Sequence, residues 1–339
     1  MRGAGADGHG AVIMRTVEIR HESWPIAGTF TISRGSKTAA DVVVVEIADG
    51  AHRGRGECVP YPRYGESIDS TREQIEAIRK ALESGLDRTG LQTALPPGAA
   101  RNAVDCALWD LEAKISGRRA WQLAGLDEPK PVTTAYTLSL DTVEKMGEAA
   151  RANAHRPLLK LKLAGPEDLD RVRAVRANAP RSRLIVDANE GWTAEIYAKL
   201  APELAGLGVE MIEQPLPAAE DGPLLGLERP VPVCADESAH DRAGLRRLLG
   251  KYDAINIKLD KTGGLTEALA LAREARAAGL EIMVGCMVAT SLAMAPALLL
   301  AAQARWVDLD GPLLLAKDRE PALRFEGSLI HPAPAALWG

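Results

Sequence analysis

The sequence predicts an α/β protein, a (β/α)8-type TIM barrel with an α+β capping domain built from the N-terminal part plus the C-terminal tail. Three observations predict it. Eight short apolar runs recur along residues 129–316, most of them ended by an ionisable residue. Helical patterns separate the runs at the spacing of one βα unit. A stretch with strand-and-loop character precedes the whole series, as a separate α+β layer would.

The cap comprises residues 1–128, joined by 317–339, and the barrel comprises 129–316. Within the cap, 14–20, 29–33 and 41–47 (DVVVVEI) read as strands. Two loops accompany them, 22–28 around Trp24 and 53–65 (RGRGECVPYPRYG), the second structured by its Gly, Pro, Arg and Tyr content. Helices are expected at 68–83 and at 99–115, where Ala103, Cys106, Ala107, Asp110 and Leu111 follow helical spacing. Residues 1–10 (MRGAGADGHG) lack the apolar core of a signal peptide and read as a disordered leader.

The barrel strands are expected at 133–138, 158–163, 184–186, 209–213, 231–235, 254–257, 281–284 and 305–307. Asp141-x-x-Glu144 has the form of a capping box, Thr193 is a cap for another helix, and Gly263 and Gly264 open a third. The run 322–330 (ALRFEGSLI) comes too late to join the barrel and is expected to return to the cap.

A net charge of −5 and no Lys/Arg-rich block give no footing for nucleic acid, and no apolar run approaches the roughly 20 residues of a membrane span. Cys58, Cys106, Cys234 and Cys286 are scattered without metal-ligand spacing, so reduced thiols in a cytoplasmic protein are expected. Oligomeric state is left open, a homo-oligomer included.

The charges at the strand ends carry the chemistry. Lys162, Asp187, Glu213, Asp236 and Lys258 follow one another at intervals of 22 to 26 residues, on the second to sixth strands. Neighbouring parallel strands lie about 4.8 Å apart, so Asp187, Glu213 and Asp236 must converge. Alone they would repel, and one would take a proton. A hard divalent cation removes the conflict, and an all-oxygen set without His or Cys favours one Mg²⁺ per subunit. Lys162 and Lys258, on the second and sixth of eight strands, face each other across the barrel. Two such lysines can address both faces of one carbon, as a 1,1-proton transfer requires: one removes a proton and the other returns it. Mg²⁺ on a substrate carboxylate would stabilise the resulting enediolate. Lys160, two residues from Lys162 and on the same face, can neutralise the same oxygens and lower the pKa of Lys162.

Together KLK, VDANEGW, IEQPLP, ADES and NIKLDKTGGLTEAL resemble the enolase superfamily in its muconate-lactonising branch, and the cap motifs GECVPYPRYGES and AARNAVDCALWDL extend the likeness over nearly the whole chain. Within that branch the chain looks most like the dipeptide epimerases. The resemblance implies that Lys162 and Lys258 are the acid/base pair, with Lys258 serving the L face and Lys162 the D face. It implies Asp187, Glu213 and Asp236 as Mg²⁺ ligands, Lys160 and Thr137 as substrate contacts, and Asn189 and Glu237 as supports of the ligands. It further implies a small dipeptide substrate inverted at its C-terminal residue, L-Ala-L-Glu or L-Ala-D-Glu of murein peptide metabolism.

Asp308-x-Asp310, at the end of the eighth strand, would repel a dicarboxylate and suits a cation such as a dipeptide's free α-ammonium. The family gives the pair that role, with Cys286 lining the same pocket. No His ends the seventh strand, which argues against the His–Asp dyad of the mandelate-racemase branch. The alternatives are an N-acyl or N-succinyl amino-acid racemase, o-succinylbenzoate synthase, or an inactive barrel serving as a binding protein. For the side chain at the inverted carbon, Arg34 is expected to grip the distal carboxylate of Glu with two parallel hydrogen bonds, under an apolar cover from Trp24.

Overall fold

The computed structural model of the protein describes residues 15–339. The leader at 1–10 and the first residue of the strand expected at 14–20 lie outside the described residues.

The cap sheet has three antiparallel strands in chain order: Thr16–Ile32, Gly35–Asp49 and His52–Cys58. This corrects the expected layout in two ways. Residues 14–20 and 29–33 are not separate strands with a loop between them, because Thr16–Ile32 runs through. Pro25 and Gly28 look like loop residues, but a register shift between Pro25 and Phe30 absorbs them as a bulge. His52–Cys58, expected as a loop, is the third strand. Its glycines answer to packing. A Cβ on Gly54 would meet Ala107 O at 2.1 Å, and one on Gly56 would meet Ala103 O at 2.1 Å. Helix Ala99–Ser116 therefore lies directly on bare backbone. The helix expected at 68–83 is broken into Ile68–Ala77 and Arg79–Glu83.

The barrel strands are Tyr136–Leu138, Leu158–Lys162, Arg183–Asp187, Val209–Glu213, Val233–Ala235, Ala254–Ile257, Glu281–Gly285 and Trp306–Asp308. Each pairs in parallel with the next, and Ala135 N donates to Val307 O (2.8 Å) where first and last meet. Full helices follow the first, second, third, sixth and seventh strands. After the fourth strand Pro215, Pro217, Pro223, Pro230 and Pro232 break any longer helix and leave only 3₁₀ turns, and after the fifth, where there is no proline, the chain makes the single 3₁₀ turn Arg242–Arg247. Thr193 and Gly264 cap their helices as expected, while the helix Val143–Ala152 is capped by Thr142 rather than Asp141.

The tail also differs from expectation. Phe325–Glu326 and Leu329–Ile330 form a hairpin that pairs with Val132–Thr133 just before the first barrel strand, not with the cap sheet. The tail meets the cap on either side of that hairpin: Arg319 donates to Glu22 (2.8 Å) and Glu57 (2.6 Å), Trp338 Nε1 to Cys106 O (3.0 Å), and Gly339 N to Asp110 Oδ1 (2.7 Å).

Candidate active site

Strand alternation builds the site. Ala135, just before the first strand, with Leu158, Ile185, Met211, Cys234, Ala254, Met283 and Trp306, one from each of the other seven, fill the barrel as a single apolar layer. Side chains return to the interior every second residue. Two positions above that layer lie Thr137, Lys160, Asp187, Glu213, Asp236, Asn256, Gly285 and Asp308; four above lie Lys162, Lys258 and Asp310. A cavity of about 500 Å³ opens over them, closed on the far side by the cap.

Asp187, Glu213 and Asp236 are buried, and one oxygen of each lies within 4.8 Å of the others. Residues before and beside them hold these oxygens in place. Asn256 Nδ2 donates to Glu213 Oε1 (2.7 Å), and Asn189 donates to Asp187 from its backbone N (2.9 Å) and Nδ2 (3.1 Å). Gly285 makes room for Asn256, since a Cβ there would sit 2.4 Å from Asn256 Oδ1. Burial and the charge of Asp187 push Glu213 up to about 7, so one acid of the three tends to keep its proton when lysines are the only positive charges near it. Glu213 Oε2 lies 2.6 Å from Lys160 Nζ, yet accepts no well-directed hydrogen bond. A hard cation among three oxygen donors answers both features, and the residues present fit Mg²⁺.

The second and sixth strands are separated by three strands on either side, so Lys162 and Lys258 oppose one another. Lys162 Nζ donates to Asp187 Oδ2 (2.6 Å) and Lys258 Nζ to Asp236 Oδ2 (2.6 Å). Lys160 Nζ reaches Asp308 Oδ2 (2.7 Å) as well as Glu213. Burial disfavours its charge, but Asp308, Glu213 and Asp187 outweigh that and hold its pKa well above the usual lysine value. Lys160 is thus a fixed positive charge among carboxylates.

On the eighth strand, Asp308 Oδ1 is buried without a hydrogen-bond partner and Asp308 lines the cavity. Asp310 Oδ2 accepts from Thr137 N (2.6 Å), and burial together with Asp308 pushes Asp310 up to about 7. Cys286 lines the same wall, where burial and these two acids raise its thiol pKa well above the ordinary value.

The cap residues depart from expectation. Trp24 does not line the cavity; its indole donates to Glu22 (3.2 Å) and its ring lies under Arg319. The apolar cover comes instead from Phe30, Ile26 and Ile32 of the same strand, with Phe30 6.0 Å from Lys162 Nζ. Arg34 does reach the cavity wall, but its guanidinium is already engaged. It donates to Glu237 Oε1 (2.7 Å), Asn189 O (2.9 Å), Tyr61 OH (3.2 Å) and Glu190 Oε2 (3.3 Å). Glu237, expected beside the ligands, accepts from Arg34 and so ties cap to barrel.

Residues 142–331 match the family described as enolase C-terminal domain-like, and residues 14–125 match the mandelate racemase / muconate lactonizing enzyme N-terminal domain. The chain belongs to the enolase superfamily. It is 50% identical over 320 residues to an L-Ala-D/L-Glu epimerase of Escherichia coli, covering 94% of this chain and 100% of that protein. It is 46% identical over 300 residues to an N-acetyl-D-glutamate racemase of a Pseudoalteromonas species, covering 88% and 95%. Among solved structures, an enolase family member from Agrobacterium tumefaciens with homology to dipeptide epimerases, holding sodium and L-Ala-L-Glu, superposes with a TM-score of 0.94 at 54% identity, over 96% of this chain and 100% of that one. A dipeptide epimerase from Enterococcus faecalis complexed with Mg and L-Leu-L-Tyr gives 0.88 at 29% identity, over 94% and 97%.

Three further residues belong to the site without having been anticipated from the sequence. Asn256 was open to inference, being two residues before Lys258 on the same strand face. Lys261 lies past the strand end, where counting by twos fails; it is buried and reaches Asp236 Oδ1 (2.5 Å). Tyr64 lines the cavity from the cap, and only the fold brings it there.

Proposed function

We propose that the protein is a Mg²⁺-dependent dipeptide epimerase that inverts the α-carbon of the C-terminal residue, with L-Ala-L-Glu and L-Ala-D-Glu as its substrate pair. The observation that carries this reading is Asp308 Oδ1, a buried acceptor left without a donor in a cavity that also holds two opposed lysines and the carboxylate triad. An α-ammonium supplies the missing donor. The likeness to the L-Ala-D/L-Glu epimerase and the dipeptides bound in the two solved structures support the same reading.

In this mechanism Asp187, Glu213 and Asp236 hold the cation. When bound, Mg²⁺ supplies positive charge opposite the substrate carboxylate, where negative charge builds as the α-proton leaves. Asp308 and Asp310 orient the ammonium end of the dipeptide. One lysine, as the neutral amine, takes the α-proton from its face and leaves the electron pair delocalised into the carboxylate. The opposite lysine, as the ammonium, delivers a proton to the other face. Each turnover inverts the centre and exchanges the roles of Lys162 and Lys258, with no net change in protons. Lys160 keeps its charge and steadies the carboxylates around it. The four free thiols fit a cytoplasmic setting, and a recycling role in cell-wall peptide metabolism follows from the substrate pair.

The second reading, an N-acyl amino-acid racemase, is favoured by the likeness to the N-acetyl-D-glutamate racemase. An acylated amine has no ammonium to offer Asp308. Asp308→Asn should therefore raise KM for the free dipeptide by about 2–4 kcal/mol equivalent, some 30-fold or more, the scale of one lost partner of a buried charge pair. N-acetyl-L-Ala-L-Glu should be affected far less. The pH dependence has a definite sign. Below about 7 Asp310 takes up a proton and the pair loses one negative charge. The ratio of kcat/KM for free over N-acetylated dipeptide should thus fall as pH is lowered through 7. Taking the ratio cancels the titration of the lysines, and a flat ratio with unchanged selectivity in Asp308→Asn makes the pair structural and the racemase reading the better one.

Side-chain preference shifts from Arg34 to a neighbour. Among the described cations lining the cavity, Lys37 has no carboxylate within 4.0 Å, whereas Arg34, Arg63, Lys160, Lys162 and Lys258 all have one. Lys37→Met should lower kcat/KM for L-Ala-L-Glu about tenfold, the scale of one charged hydrogen bond, and spare L-Ala-L-Met. Arg34→Met, which unties the cap, should lower both alike. A selective loss for Glu in Arg34→Met, with none in Lys37→Met, returns the role to Arg34.

A further inference from the structure

The turn after the third barrel strand is built unusually. Asn189 (φ 44°) and Glu190 (φ 66°) are consecutive non-glycine residues in the left-handed region, which side chains rarely adopt. Backbone bonds from Glu190 N to Gln214 O (2.9 Å) and from Gly191 N to Ala188 O (2.8 Å) hold them there. Such a conformation persists only where the surroundings over-determine it, and it clusters at functional positions.

Its effect is to turn the segment towards the cap. Asn189 O accepts from Ser33 Oγ (2.9 Å) and Arg34 Nη1 (2.9 Å), both at the tip of the first cap hairpin. The Glu190 carboxylate accepts two parallel bonds from Arg63 of the second cap loop, Nε to Oε2 (2.9 Å) and Nη2 to Oε1 (2.8 Å). It also accepts from Arg34 (3.3 Å) and from Ala218 N (2.8 Å). Two cap loops thus converge on one carboxylate that is only 9% exposed. On its other side the same turn holds Asp187 through the backbone and side chain of Asn189.

Arg34, Tyr61, Arg63 and Tyr64 form the cap side of the cavity. Movement of these loops would change access to the cavity, and bidentate arginine–carboxylate pairs are strong enough to set whether they are open. We propose that Glu190 is a positioning residue, a latch that holds both cap loops over the cavity and couples their closure to the Asp187 corner of the cation site. The proposal rests on where the site lies and not on which dipeptide it takes.

Hydrogen–deuterium exchange on the full chain tests it without reference to activity. In Glu190→Ala the amides of 33–37 and 60–66 should both lose protection, by about tenfold or more, while the barrel strands keep theirs. In Arg63→Met only 60–66 should loosen. Adding Mg²⁺ should raise protection of both loops in the parent chain and not in Glu190→Ala. If Glu190→Ala proves unstable, Glu190→Gln, which keeps shape and loses charge, must loosen both loops to carry the proposal. Unchanged loop protection, or an equal loss across the whole barrel in both Glu190 variants, overturns it. A parent chain that turns over no dipeptide, with the paired loosening still seen in Glu190→Ala, contradicts the proposed function and leaves the latch standing.

Discussion

Rigorous chelation is expected to abolish epimerisation, and Mg²⁺ to restore it. Removing an α-proton puts a second negative charge on the reacting carboxylate in a site that already holds six buried acids: Asp187, Glu213, Asp236, Glu237, Asp308 and Asp310. Without a divalent charge that state has only lysines to face, and Lys160 is already held by Glu213 and Asp308. Losing a preorganised electrostatic contact costs about 10²–10³ in rate, so loss of the dominant charge should exceed about 10³-fold. Zn²⁺ should substitute poorly, since all three donors are carboxylate oxygens and no His or Cys joins them. Asp236→Asn should mimic chelation. Full turnover after chelation would remove the cation from the account.

The two lysines carry the second large effect. Lys258→Ala and Lys162→Ala should each stop epimerisation, by about 10³-fold or more, because a general acid or base contributes about 10²–10⁴ and each lysine serves in both roles. The faces need not fail together. In D₂O, Lys258→Ala should still exchange the α-proton of the D epimer through Lys162, and Lys162→Ala that of the L epimer through Lys258. Both ammoniums bond to candidate cation ligands, Lys162 to Asp187 and Lys258 to Asp236. Burial disfavours the Lys258 ammonium, but Asp236 and Glu213 hold its pKa well above the usual lysine value, and a cation sharing the Asp236 charge would weaken that hold. Equal residual exchange of both epimers in each variant would refute the division of faces.

How far the sequence led depended on the local rule in force. Within a strand the period of two is strict, so Lys160 and Lys162, and the acids ending the next three strands, could be assigned to the barrel interior from spacing alone. The cap obeyed no such rule. Gly54 and Gly56 signal a loop until helix Ala99–Ser116 is seen to press on them. Pro25 and Gly28 signal a break that a bulge accommodates. For the arginines the sequence supplied charge but no partners. The engagement of Arg34 by Glu237 and Asn189 spans more than 150 residues of chain, beyond the reach of any pattern. Trp24 shows the same limit, since the aromatic of its own strand that lines the cavity is Phe30.

The most direct test of the central claim is α-deuterium uptake from D₂O by L-Ala-L-Glu incubated with the Mg²⁺-loaded protein, read by mass spectrometry with fragment assignment. Two-base inversion at the C-terminal residue predicts a single deuterium on the α-carbon of Glu, accumulating with L-Ala-D-Glu, and none on Ala. Epimerisation without solvent deuterium, or deuterium on the alanyl α-carbon, would contradict it.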